Sequence, residues 1–121
     1  MVQFPLNLAM TEALSLRNQP VGGQALPLVQ AAARLGIAVV ASGPLLQGKV
    51  VARPLPERLQ KALPGLHRDG PRALHFVRSA PGISAVLCGM KAPAHVQENL
   101  AVLQQAPLSA AEFVARFGEA P

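Results

Sequence analysis

Tryptophan and tyrosine are absent from this sequence of 121 residues, and its aromatic content is four phenylalanines, Phe4, Phe76, Phe113 and Phe117. Stacking on bases is therefore poorly supplied. A single cysteine, Cys88, can close no internal disulfide, which fits a reducing compartment. No apolar run approaches the roughly 18 residues that cross a bilayer, and Met1 to Phe4 has neither the positive start nor the apolar core of a signal peptide. The expected setting is the cytoplasm, with no membrane partner. Only 14% of residues are charged and 50% are hydrophobic, which excludes a disordered chain. Eleven basic residues against six acidic ones give a net charge of +5. The basic residues are scattered from Arg17 to Arg116, a distribution that argues against a nucleic-acid partner and permits a small anionic ligand.

What is present reads as one α/β domain over residues 1–121. Val2 to Leu6 is a short apolar strand stopped by Pro5. Asn7 to Gln24 breaks the pattern with Pro20, Gly22 and Gly23 and reads as loop, with one helical turn around Thr11 to Leu16. Leu26, Val29, Ala32, Ala33 and Leu35 recur at helical spacing, with Pro27 suited to the first turn and Gly36 just past the end, so a helix is expected over 26–35. Ile37 to Ala41 is continuously apolar, as a parallel strand covered on both faces is.

Ser42 to Pro56 is a turn-rich connection, followed by a short helix near Glu57 to Leu63. A helix is expected over 71–79, opened by Asp69, Gly70 and Pro71. Ile83 to Cys88 is a further apolar strand. Pro93 opens a helix over 93–104 with Val96, Leu100 and Leu103 on one face, and Ser109 with Glu112 forms a capping box before a last helix over 110–117. Strands near 2–6, 37–41 and 83–88 alternating with helices build a parallel sheet with right-handed crossovers, either doubly wound or part of a β/α barrel.

Few residues carry chemistry by pattern alone. Gly43 to Gly48 followed by Lys49 has the spacing of a phosphate-binding loop, but Val50 stands where a magnesium ligand is needed, and Pro54 and Pro56 interrupt the helix that should follow. A degenerate nucleotide loop therefore ranks below a simple strand-to-loop turn. His67, His75 and His95 include no pair spaced i,i+4, so no metal site is expected. Cys88, inside an apolar strand, reads as a buried small hydrophobe. Asp69, the sole aspartate, is better explained by capping than by a hydrolase triad. Gly89, Met90 and Lys91 lead into a helix bearing His95, Glu98 and Asn99, where a helix N-terminus and a lysine could meet an anion, and the amide of Asn99 with the carboxylate of Glu98 could meet an adenine edge.

Three stretches together resemble the aldo-keto reductase superfamily, in the C-terminal part of its (β/α)8 barrel. Val2 to Asn7 is similar to the sixth barrel strand, Gly36 to Ala41 continuing through Pro44, Leu45 and Gly48 to the seventh, and Pro81 to Met90 with His95, Val96, Glu98, Asn99 and Leu100 to the eighth strand and the adenosine-binding helix. The resemblance implies about three β/α units of a barrel and a nicotinamide dinucleotide, NADP with NAD as the variant, serving carbonyl reduction by hydride transfer. It implies that Gln3 and Ser42 lie toward the nicotinamide half, Gln3 at a strand end, and that Ser42, Gly43, Pro44 and Leu45 line the pyrophosphate. It further implies Gly89, Met90, Lys91 and His95 at the adenosine phosphate, and Glu98 with Asn99 at adenine.

The sequence departs from the family at Ser42, where many members stack an aromatic, and at Gly89, Met90 and His95, where NADP-dependent members use lysine, serine and arginine. It also lacks any tyrosine. The family's catalytic aspartate, tyrosine, lysine and histidine belong to the first half of the barrel, so no catalytic residue is expected here. The expectation is a cofactor-binding segment, inactive alone, that self-associates or needs a partner chain through its open strand edges. The alternative is a non-enzymatic interaction protein built on a partial barrel.

Overall fold

The computed structural model describes residues 1–118. In chain order its elements are β1 (Val2–Pro5), α1 (Glu12–Ser15), a hairpin of β2 (Gln19–Val21) and β3 (Gln24–Leu26), α2 (Leu28–Arg34), β4 (Val39–Ser42), α3 (Glu57–Ala62), α4 (Asp69–Ser79), β5 (Ala85–Val86), α5 (Pro93–Leu100) and α6 (Ala110–Phe117). Single 3-10 turns occupy Lys49–Val51 and Ala101–Gln104. The main sheet has the order β1-β4-β5, all parallel, with Val2 opposite Val39 and Val40 opposite Ala85.

Local chemistry explains where these elements begin and end. After α2, Gly36 at φ +65° donates to Ala33 O and Ile37 donates to Ala32 O at 2.9 Å, which is the hydrogen-bond pattern of a Schellman cap. Ile37 is consumed by that cap, so the strand expected over 37–41 begins at Val39. Leu26 ends β3 instead of starting a helix, and Pro27 is the extended residue before α2. Glu112 N donates to the hydroxyl of Ser109 while the Glu112 carboxylate accepts Ser109 N at 2.8 Å, the capping box expected at the start of α6.

Two expectations are corrected. The stretch read as loop before residue 24 contains the β2–β3 hairpin, whose Gly22 and Gly23, at φ +58° and +78°, supply the two left-handed residues of a tight hairpin turn. The strand expected over 83–88 narrows to Ala85–Val86, flanked by bonds from Ser84 N to Val39 O and from Leu87 N to Ala41 O, both at 2.8 Å; at its start the hydroxyl of Ser84 takes the Val39 N–H at 3.3 Å in place of a ladder carbonyl. Cys88 therefore lies beyond the strand and is half-buried, not enclosed within it.

The core lies on one face of the sheet. Val2, Phe4, Val39, Ala41 and Val86 meet Leu6, Leu63, Val77, Ala80 and Phe113 there. Phe76, Phe113 and Phe117 form one aromatic cluster joining α4 to α6, with ring centroids 4.9 to 5.3 Å apart. Each such pair adds about 0.5–1.5 kcal/mol beyond the area it buries. Strand alternation turns Gln3, Pro5, Val40, Ser42 and Ala85 to the opposite face. Gln3, Pro5 and Ala85 are exposed there.

The edges are equally one-sided. Val2 and Leu6 donate to Ala38 O and Ser42 O, so the backbone of Gln3 and Pro5 points away from β4. Pro5, which has no N–H, is tolerated in the strand because that side is unpaired.

Candidate functional site

A cleft of about 1270 Å³ opens at the C-terminal ends of β4 and β5, the end at which parallel α/β sheets carry their sites. One wall is the loop after β4. It bends through Gly43 at φ +58° and then through three consecutive left-handed residues, Leu46, Gln47 and Gly48. Leu46 N donates to Gly43 O and Lys49 N to Leu46 O, but among the described residues the N–H groups of Gln47 and Gly48 find no acceptor. The left-handed conformation costs an L-residue roughly 1–2 kcal/mol, so Leu46 and Gln47 store strain in this wall. Lys49 begins a single 3-10 turn, so the loop does not lead directly into an α-helix as phosphate-loop nucleotide binding requires.

The opposite wall comes from the loop after β5 and from α5, and the floor from the first turn of α4. Asp69 fixes that turn: Oδ2 accepts Leu55 N at 2.9 Å and Oδ1 accepts Arg72 Nη1 at 2.8 Å. Arg72 is spent on this contact, and its Nε is buried without a partner. Arg68, just before α4, reaches across to Glu98 of α5 at 3.5 Å. Arg53 and Lys91 line the same cleft, and among the described residues neither has an ion-pair partner. With Asp69 and Arg72 neutralising each other, the cleft retains Arg53, Arg68 and Lys91 against Glu98. That balance favours an anion.

Nine of the eleven sequence-predicted positions lie around this cleft. Gly43, Pro44 and Leu45 line it from the loop after β4, Gly89, Met90 and Lys91 from the loop after β5, and His95, Glu98 and Asn99 from α5. Lys91 and His95 are exposed. Asn99 is 8% exposed, and the one hydrogen bond of its side chain among the described residues is a long 3.9 Å approach to Cys88 Sγ. Gly70 lies against it, since a Cβ there would stand 3.6 Å from Asn99 Oδ1. Burial pushes the Cys88 thiol above its ordinary range, which suits a packing role better than a nucleophilic one.

Gln3 and Ser42 are placed differently. Both lie on the sheet face opposite the core, where Gln3 is exposed and Val40 between them is buried, with Ser42 one residue before the cleft at the end of β4. Gln3 is opposite Val40, two residues short of that end, so its strand position is lower than the resemblance implies.

The sequence reading missed Arg53, Arg68 and the Leu46–Gln47 bend. Arginines carry no local signature of the cleft they will face, and positive φ is advertised only by Gly, Asn and Asp. The pair Arg68–Asp69 before Gly70 and Pro71 was the one local hint, as an acid in the first turn of a helix.

The chain is similar in structure to aldo-keto reductase AKR11C1 from Bacillus halodurans. With the holo form of that protein the TM-score is 0.61 at 20% sequence identity, covering 98% of this chain and 42% of the other. With the apo form it is 0.58 at 23% identity, with the same coverage. The chain therefore has the fold of part of an aldo-keto reductase barrel, a parallel sheet with covering helices, and spans less than half the length of the structures it matches. No protein-family model and no curated protein matches the sequence.

Proposed function

We propose that this chain is the cofactor-binding segment of an NAD(P)H-dependent aldo-keto reductase, with NADP as the dinucleotide and a small carbonyl compound as the substrate of the complete enzyme. The observation that carries the reading is the convergence of three separate stretches, 43–45, 89–91 and 95–99, on one positively biased cleft. The fit to a dinucleotide rests on the size of the cleft, on Arg53 and Lys91, which have no ion-pair partner among the described residues, and on the backbone N–H groups of Gln47 and Gly48, which find no acceptor among them. Small-ligand sites are commonly about 300–1,000 Å³, so an extended ligand is accommodated.

In this reading Lys91 holds the adenosine phosphate by a charge-assisted contact. The loop from Gly43 lines the pyrophosphate, and its unpaired N–H groups add donors. Glu98 and Asn99 take the adenine edge, which requires the Asn99 amide to leave its weak contact with Cys88. Ser42 and, from lower on the same sheet face, Gln3 lie toward the nicotinamide. The bound cofactor supplies a hydride to the carbonyl carbon in such enzymes. A tyrosine protonates the oxygen in the family, and this sequence has none. The chain is accordingly inert by itself.

The test is a pair of titrations with NADPH and NADH, alongside an assay of NADPH oxidation with broad aldehyde substrates. Lys91→Ala should weaken NADPH by about 1 to 3 kcal/mol and NADH less, the range for a hydrogen bond to a charged group. Equal weakening of both removes Lys91 from the phosphate, and carbonyl turnover by this chain alone overturns the segment reading.

A second reading, an interaction protein, is favoured by the sheet face opposite the core, with exposed Gln3, Pro5 and Ala85, and by Leu87 beside it, 50% exposed. A saturable partner complex formed without any dinucleotide binding would support it.

A further inference from the structure

We propose that Arg68 is the specificity-determining residue of the cleft: it reads a phosphomonoester on the ribose of the adenosine end, exchanging its contact with Glu98 for the phosphate. The inference rests on the cofactor reading above and adds to it a residue that the sequence did not single out.

Placement comes first. Arg68 is the extended residue preceding α4, at φ −116° and ψ 146°. Its neighbour Asp69 is pinned through both carboxylate oxygens to Leu55 N and Arg72, so the Arg68 side chain departs from a fixed point on the cleft floor. From there it reaches Glu98 on the facing helix α5. His95 precedes Glu98 by three residues and lies on the same face of α5. A ligand group between Lys91, His95 and Glu98 therefore falls within the reach of the Arg68 guanidinium.

The weakness of the existing contact is the second point. The Arg68–Glu98 separation of 3.5 Å is well beyond the 2.7–2.9 Å of a charge-assisted hydrogen bond. The Arg68 side chain is 72% exposed, and exposed pairs of this kind contribute little. A phosphomonoester offers nearly two negative charges and the oxygen geometry that a guanidinium fork grips at two points. Exchange therefore favours the phosphate over the single carboxylate. It also releases Glu98 to accept from the adenine amino group, so one movement serves both halves of the adenosine.

The other cleft cations do not fill this role. Arg72 is held by Asp69, and Arg53 arises from the far wall, after the 3-10 turn at Lys49–Val51. Lys91 adds a point charge at the same phosphate but lacks the planar fork that grips two of its oxygens. Arg68 is the cation tied to the same helix face as Glu98.

The experiment measures binding of adenosine 2′,5′-bisphosphate, adenosine 3′,5′-bisphosphate and adenosine 5′-monophosphate to the chain by calorimetry, for the unsubstituted protein, Arg68→Met and Arg68→Lys. The expected result is that Arg68→Met weakens one bisphosphate about tenfold or more, the order expected from losing a charged hydrogen bond. The monophosphate should stay within about twofold, because it leaves Arg68 on Glu98. Arg68→Lys should restore part of the loss, as charge without the fork. The bisphosphate that responds identifies the ribose oxygen. Unchanged binding of both bisphosphates by Arg68→Met, or an equal loss for all three probes, overturns the assignment. If the unsubstituted chain binds none of the three, the cofactor reading itself fails, a result distinct from binding that ignores Arg68.

Discussion

Asn7 donates from Nδ2 to the backbone oxygen of Gly43 at 3.0 Å, joining the segment that leaves β1 to the loop that leaves β4. Its Oδ1 accepts Ala9 N at 2.9 Å, and the residue is fully buried. The amide thus uses both of its ends to hold the first residue of the cleft wall. Asn7→Ala should cost about 1 to 3 kcal/mol, because two hydrogen bonds of about 0.5–1.5 kcal/mol each are lost from a fully buried side chain. Asn7→Asp should cost at least as much, since a carboxylate oxygen would then face the Gly43 carbonyl. Urea unfolding monitored by circular dichroism measures both, and an unchanged midpoint for Asn7→Ala would show that the tie contributes nothing.

The bend at Leu46 and Gln47 stores strain that glycine would relieve. Gln47 is exposed at φ +55°, and its side chain makes no hydrogen bond among the described residues. Gln47→Gly should therefore raise stability by about 1 kcal/mol, the left-handed penalty less the added freedom of the unfolded chain. Gln47→Val should lower it, since branching at Cβ makes the same conformation worse. A fall in the thermal midpoint for the glycine variant would contradict this.

How much of the molecule was legible follows from where the signals are local. The α6 capping box and the end of α2 at Gly36 were readable because Ser109, Glu112 and Gly36 each act within a few residues. The parallel sheet with covering helices followed from the alternation of apolar runs with helices. The hairpin was overlooked because Pro20 argued against a strand, although Gly22–Gly23 carried the turn signal. The strand expected near 83–88 starts late because Ser84, a side chain substituting for a carbonyl at that end, has no pattern in a hydropathy reading. At the site, the stretches that meet were recognisable by resemblance, while Arg53 and Arg68 enter through tertiary placement alone.

Histidine 75 should make stability pH-dependent. His75 is 2% exposed on α4 with a buried, unpaired Nδ1, and burial pushes its pKa down, with the Arg78 and Arg116 guanidiniums acting in the same direction. The unfolded chain takes up the proton near pH 6.5, and the folded chain takes it up only at lower pH. Stability from this residue is complete above about pH 6.5 and is lost progressively as the pH falls toward the depressed folded value. The urea midpoint should drop between pH 7.5 and pH 5.5, and His75→Gln should flatten that drop. A midpoint that rises on acidification would reverse the sign and refute the account.

The open sheet should associate. Both strand edges are unpaired, and Leu87, Leu100 and Leu103 are 50%, 49% and 63% exposed. A closed barrel leaves no such edges. Light scattering after size exclusion should show mass increasing with concentration, and charged substitution at Leu87 should reduce it. A dispersed monomer at high concentration would count against an exposed, pairing-competent sheet.

The account stands on the cleft as a dinucleotide site, and backbone amide shifts during NADPH titration test it most directly. Saturable changes confined to Gly43, Leu45 to Gly48, Gly89 to Lys91 and the first turns of α5 are predicted. They should shrink in Lys91→Ala and be weaker with NADH. No saturable change, or changes centred on the β2–β3 hairpin or on α6, would contradict the assignment of this cleft.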